Sequence, residues 1–283
     1  MLDNKAIAAC VKEPIQKYCD KMVANIGDWK HLIDASERIL AGETVREEEC
    51  PPYLWPNISL QQLIMEVTRD SEWDWSSPRI QAAFAKIANS EVYRAFADTS
   101  IEIVLAIART VQLGTIVEVG TGPGQVTAGL CQKLQERGLR IPLIVSDQAP
   151  SIAETAANLR NDFPELNISD YIWDLKDTPP LPLVERLERP VLLFERFCVP
   201  YAGYEAIDNI SSVPDIFLMV EDLNLTGRRQ PYDKVFEKIG LQFFPFEKTI
   251  EHLRKHFAFI HTCDSMIPEK LGAPVSDFTL AVK

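Results

Sequence analysis

The sequence predicts an α/β protein in which a doubly wound, mostly parallel sheet follows a helical N-terminal region. Three observations lead there. The apolar, β-branched run Ile116-Val117-Glu118-Val119 meets glycines at 120, 122 and 124 and gives way to Val126, Leu130 and Leu134 at helical spacing. A strand covered on both sides is apolar on both faces, and the change of period marks strand, turn and helix. Further short apolar runs recur between helical patterns, as in successive βαβ units. Residues 1–110, by contrast, hold helical patterns and no convincing strand, so we expect a helical cap or lid over 1–110 and a sheet domain over 111–283.

Ile7, Val11, Ile15, Tyr18 and Met22 keep helical spacing, with Pro14 suggesting two segments or a kink and Gly27 a stop. A second pattern runs through Trp29, Leu32, Ile33, Ile39 and Leu40 to Gly42. The stretch Glu47 to Pro56 holds three prolines and reads as an ordered loop or a linker. Leu60, Leu63, Ile64 and Val67 suggest a short helix; another begins near Pro78 with Ser77 as cap, and a third spans about Ser100 to Thr110 and packs on the first strand. Tyr53, Trp55, Trp73, Trp75 and Tyr93 read either as core filling between helices or as the lining of a pocket, and Trp73 and Trp75 are the candidates for binding substrate.

The glycine loop carries the chemistry. A pyrophosphate loop reads G-x-G-x-x-G, whereas here alternate glycines follow an acid inside the strand, and a carboxylate suits a sulfonium ligand with an ammonium better than a diphosphate. Glu118-x-Gly120-x-Gly122-x-Gly124 resembles the first motif of class I (Rossmann-like) S-adenosylmethionine-dependent methyltransferases. The resemblance covers roughly Val111 to Lys283. It implies that Glu118, Gly120, Thr121, Gly122 and Gly124 back the methionine part of S-adenosylmethionine, the acid positioning its ammonium or an adjoining loop. The alternative is a glycine turn that binds nothing.

Leu143 to Asp147 is a second buried strand ending in an acid, where an α/β cofactor site expects a carboxylate for the ribose hydroxyls; Asp147 and its neighbour Gln148 are the candidates. Asp147 lies farther past the glycines than the usual ~20 residues, so this crossover is long. Ser151 to Leu159 is the next helix and Asn167 to Asp174 the third strand. By the resemblance Asp174 meets the adenine amino group, with Leu175 or Trp173 against the ring; the other reading of Asp174 is a turn at the strand end. Pro190 to Phe197 is a fourth strand opening beside the first, which makes Glu195 and Arg196 candidates to bind or deprotonate a substrate, unless they pair with each other. Tyr201 and Tyr204 are the next candidates, as catalytic and substrate-binding residues. Ile216 to Asp222 is a fifth strand, followed by a loop whose Arg228 and Arg229 either recognise an anion or form a solvated turn.

Tyr232 to Ile239 begins a helical region, and His256 to His261 and Phe278 to Val282 read as strands joined by a loop rich in Pro, Gly and Ser. These bring the sheet to seven strands, and the resemblance makes the C-terminal strand antiparallel. On one strand His256 and His261 point to opposite faces, while His31 and His252 read as surface residues. No carboxylates fall at chelating spacing, so no metal is expected. The six cysteines are scattered without a C-x-x-C pair, and most read as buried thiols.

A formal net charge of −12 argues against a phosphate-binding surface for nucleic acid. No apolar stretch has the length of a membrane span and the N-terminus lacks a signal pattern, so a cytoplasmic location is expected. Together these readings predict a methyltransferase that uses S-adenosylmethionine, yields S-adenosylhomocysteine, and methylates O, N or C of a small organic acceptor such as a specialised metabolite rather than nucleic acid, with a protein acceptor as the other reading; the N-terminal helices are a candidate homodimer surface. Two alternatives share the sequence signals: a cyclase or isomerase that uses the sulfonium electrostatically, and a non-enzymatic protein with a vestigial loop.

Overall fold

The computed structural model describes residues 4–24, 26–196, 198–224, 231–241, 246–263 and 275–283. Strands β1 (Thr115–Val119), β2 (Leu143–Asp147), β3 (Ile168–Ile172), β4 (Val191–Arg196), β5 (Ile216–Asn224), β6 (Phe259–Cys263) and β7 (Val275–Val282) form one sheet in the order β3-β2-β1-β4-β5-β7-β6. The first five are parallel, and β7 runs antiparallel to both of its neighbours. The doubly wound, seven-stranded architecture read from the sequence is therefore the one found.

Each central strand alternates two apolar faces. Ile116, Leu143, Val145, Leu192, Phe194, Phe217 and Met219 pack on α5 (Glu91–Val111), α6 (Gln125–Glu136) and α7 (Ile152–Asp162). Val117, Val119, Ile144, Leu193, Leu218 and Val220 pack on α9 (Val199–Ala202), α10 (Tyr204–Ser211) and α12 (Phe246–Leu253), with Leu183 of α8 (Leu181–Glu185) at the edge. Fully burying a side chain such as Phe194 or Phe217 contributes about 1.5–3 kcal/mol, so both layers hold the strand ends in register.

The N-terminal region differs from its expected form. α1 (Asn4–Ala24) runs through Pro14 as one element, and Gly27 lies within α2 (Ile26–Leu40) rather than ending a helix. The side chains of Tyr18, Met22 and Trp29 lie outside the described residues. Ile7, Val11 and Ile15 share one apolar cluster with the sheet, as do Ile101, Val104 and Leu105 of α5. α1 and α5 thus belong to the sheet's helical layer, and a boundary at residue 110 would divide a single core. α5 also begins earlier than expected, because the Ser90 hydroxyl accepts the Tyr93 N–H at 3.3 Å and caps it.

The cap is made from α2, α3 (Trp55–Asp70) and α4 (Pro78–Ala88). α3 starts inside the proline-rich stretch, since Pro56 occupies the first turn, where a missing N–H leaves no bond unmade. Ser77 sits at the N-cap of α4 as expected, though its side chain makes no capping bond. α11 (Pro231–Phe236) and the 3-10 turn Glu237–Ile239 return from beyond β5 to complete this cap, Val235 and Ile239 packing with Leu60, Leu63, Ile64 and Ile80. Among the described residues no helix is long and apolar enough to cross a membrane. The loop holding Arg228 and Arg229 lies outside the described residues, as do residue 197 and the loop between β6 and β7. Cys131 is buried, and Cys10, Cys50 and Cys198 are half-buried free thiols; burial pushes the Cys131 thiol up to about 12.

Candidate active site

β1 lies between β2 and β4, so the sheet changes winding direction beside the C-terminal end of β1, where a doubly wound sheet opens a crevice. The glycine loop occupies that point. Gly120, Gly122 and Gly124 have φ of 67°, 54° and 80°, in the left-handed region that side chains resist. A Cβ on Gly120 would collide with Cys198 Sγ, so the loop passes close under the segment after β4. A Cβ on Gly122 would meet nothing within 4 Å, leaving its backbone open to a ligand. Gly124 is buried, and its missing side chain makes room for Thr155 of α7.

Asp147 anchors this loop. One carboxylate oxygen accepts the Gly122 N–H at 2.9 Å and the other the Ala149 N–H at 2.9 Å. From the far side Thr155 Oγ1 donates to the Gly122 carbonyl at 3.2 Å, a contact with no signature in the sequence near the motif. Thr121 is turned inward and buried, its hydroxyl donating to the Glu118 carbonyl at 3.4 Å; among the loop residues it supports the fold of the turn. Gln148 is half-buried beside Asp147.

Glu118 is only 4% exposed and accepts a short hydrogen bond from Thr127 Oγ1 of α6. Burial raises its carboxyl from the ordinary 4.5 to about 7, with the Thr127 bond and the charge of Arg196 pulling the other way. It therefore lies beneath the loop, where it braces α6.

Asp174 forms a turn: its carboxylate accepts the Lys176 N–H at 3.0 Å and its carbonyl the Asp177 N–H at 2.9 Å. The Trp173 N–H donates to the Asp147 carbonyl at 3.0 Å, which ties the ends of β2 and β3 together. Trp173 and Leu175 are 3% and 7% exposed and belong to the sheet's second core face.

At the end of β4, Glu195 and Arg196 are successive strand residues and point to opposite faces of the sheet. The Glu195 side chain is fully buried and Oε2 accepts the Cys198 N–H at 2.8 Å and the Val199 N–H at 3.4 Å, at the start of α9. That arrangement makes it an anchor for the start of α9. Arg196 stacks its guanidinium 4.7 Å above the Tyr93 ring of α5, on the Glu118 face. A guanidinium does not act as a base.

Tyr201 of α9 meets the cap. Its ring lies edge-on to Trp75 at 5.5 Å, and Lys176 Nζ sits 4.8 Å from its centroid. Trp75 also contacts Trp73 at 5.7 Å and Phe84 at 5.1 Å, and both tryptophans are half-buried against the cap's apolar cluster. A second bridge joins Gln81 Nε2 of α4 to Ser151 Oγ, 3.2 Å away at the head of α7. Thus the cap touches the C-terminal edge of the sheet at two places. Tyr204 departs from this group, stacking on His252 of α12 with centroids 4.9 Å apart.

The histidines also differ from expectation. His256 lies in the turn before β6, and His252 is enclosed between helices; both Nε2 atoms meet Asp208 Oδ1 of α10, at 2.5 and 2.7 Å. Asp208, His252 and His256 form a metal-competent group that the absence of chelating carboxylates had argued against. His31 is exposed, as read from the sequence.

No protein-family model matches the chain, and no curated protein matches it. Solved structures do. The CMeT domain of the citrinin polyketide synthase superposes with a TM-score of 0.70 at 12% identity, covering 100% of this chain and 98% of that one. The CurJ carbon methyltransferase gives 0.64 at 13% identity, covering 100% and 94%, and the DszA carbon methyltransferase 0.61 at 12%, covering 82% and 67%. With its glycine loop at the switch point and its antiparallel β7, the chain has the fold of class I S-adenosylmethionine-dependent methyltransferases.

Proposed function

We propose that the protein transfers the methyl group of S-adenosylmethionine to a small organic acceptor, at a carbon atom. The observation that carries this reading is the pairing of an open glycine loop, anchored by Asp147, with a helical cap that reaches the strand ends through Trp75 and Gln81. The choice of carbon is supported by the CurJ carbon methyltransferase, whose likeness runs the whole length of this chain, cap included.

The residues present suit the cofactor. Gly122 leaves backbone exposed. The Asp147 carboxylate uses two acceptor sites on backbone N–H groups and keeps others for the ribose hydroxyls. Glu118 gains from a nearby ammonium the charge that burial withholds. Bound there, S-adenosylmethionine supplies a methyl group already activated by its sulfonium. The chain's own work is then to hold the acceptor in line and to exclude water, for which the aromatic wall of Trp73, Trp75 and Tyr201 is suited. Tyr201, held between cap and sheet beside Lys176, is the residue we assign to orienting the acceptor.

The test begins with calorimetry of S-adenosylmethionine and S-adenosylhomocysteine; no binding of either would overturn the proposal. Cofactor carrying a 13C methyl is then incubated with activated-methylene thioesters, phenols and amines. We expect a product heavier by one CH2, with its labelled methyl resonating as carbon-bound. Label on oxygen or nitrogen would refute the carbon assignment, and an unchanged product mass would favour a cyclase or isomerase.

A further inference from the structure

We propose that Asp208, His252 and His256 bind a divalent transition-metal ion of the zinc class, pinning α12 and the turn after it to α10. The three ligand atoms lie within 4.8 Å of one another, and both imidazole Nε2 atoms converge on a single carboxylate oxygen, at 2.7 and 2.5 Å. Around a tetrahedral ion with bonds of roughly 2.0–2.2 Å, neighbouring ligand atoms stand about 3.3 Å apart. The two imidazole–carboxylate separations therefore need to open by less than about 1 Å, and the two imidazole nitrogens, within 4.8 Å of each other, to settle at the same spacing, within reach of side-chain rotation.

The chemistry of the donors suits such an ion. Two neutral imidazoles and one carboxylate are borderline ligands that favour zinc and its neighbours over calcium or magnesium, and they leave a fourth position for water. The His252 ring is already oriented, stacked on Tyr204 with an interplanar angle of 12°. Its other nitrogen lies 3.2 Å from Lys255 Nζ. Metal on Nε2 would leave a proton on that nitrogen, so the exposed Lys255 would turn out to solvent. The side chains of His252 and His256 are 14% and 29% exposed and that of Asp208 47%, so the imidazoles are half-buried and the carboxylate side leaves an ion a way in.

The bland alternative is a hydrogen-bonded His-Asp-His link with no affinity for metal. Untagged full-length protein is titrated with Co2+, followed by absorption, and with Zn2+, followed by calorimetry. We expect one ion per chain and ligand-field bands without a sulfur-to-cobalt charge-transfer band. His256→Gln and Asp208→Asn should each weaken binding by more than roughly 100-fold, beyond the loss of an outer-shell partner, while His31→Gln should bind as wild type does. Zinc should raise the melting temperature of the wild type and not that of His256→Gln, and Asp208→Asn supplies the same comparison if the histidine variant does not fold. The absence of saturable binding, undiminished binding by both variants, or a sulfur charge-transfer band would each overturn the proposal.

Discussion

Replacing Glu118 by Gln removes a buried ionisable group while keeping its shape and an oxygen to accept the Thr127 bond. In the folded protein the carboxyl is raised from 4.5 to about 7, chiefly by burial, so the native state holds this proton more tightly than the unfolded chain. The sign follows: the contribution to stability is fully present below about pH 4.5 and is lost as pH rises through about 7. At about 1.4 kcal/mol for each pH unit, the gap amounts to about 3 kcal/mol. Urea unfolding of wild type and Glu118→Gln across this range isolates the effect, because the other titrating groups cancel in the difference. Relative to wild type, the variant should gain about 3 kcal/mol of stability between about pH 4.5 and about pH 8. Saturating S-adenosylmethionine should flatten the wild-type profile, since an adjacent ammonium favours the carboxylate. A difference that stays constant through the window would refute the burial argument.

Asp147→Ala removes the acceptor for the Gly122 and Ala149 N–H groups and should weaken cofactor binding by about 1.5–3 kcal/mol, or one to two decades by calorimetry; a loss under about twofold would take Asp147 out of the site. For Trp73→Ala and Trp75→Ala, closure over the acceptor predicts lost turnover with a stability cost below the about 3–5 kcal/mol of a core ring. Both variants melting far earlier, with normal turnover of the folded fraction, would defeat that role. Glu195→Gln should keep turnover within about tenfold, because an amide oxygen still accepts the Cys198 N–H, whereas a general base would cost roughly 10²–10⁴. Glu195→Ala should instead lower stability by about 1–3 kcal/mol, measured in urea, by leaving enclosed backbone donors unpaired.

Much of the fold was legible because its signals are local. β2 runs from Leu143 to Asp147, the bounds read from its apolar run, and the glycines after β1 have the positive φ that strand, turn and helix require there. Helix starts were harder. Ser90 caps α5 well before its apolar pattern begins, and Pro56 opens α3 inside a stretch that looked like a loop, since a proline in the first turn and one in the interior look alike in sequence.

By itself, then, the sequence determined the strand, turn and helix around Gly120, the order of α and β segments, and an acid at the end of β2, since backbone conformation and side-chain period are properties of neighbouring residues. Tertiary structure alone decided where distant segments meet. It placed α1 and α5 on the sheet, returned α11 to the cap, brought Thr155 to the glycine loop, and turned Glu195 into the start of α9. It also joined Asp208 to His252 and His256, 44 and 48 residues away. Such contacts are set by which faces pack together, and a strand's alternation says only that Glu195 and Arg196 part company; which helix each one meets depends on the winding of the whole sheet.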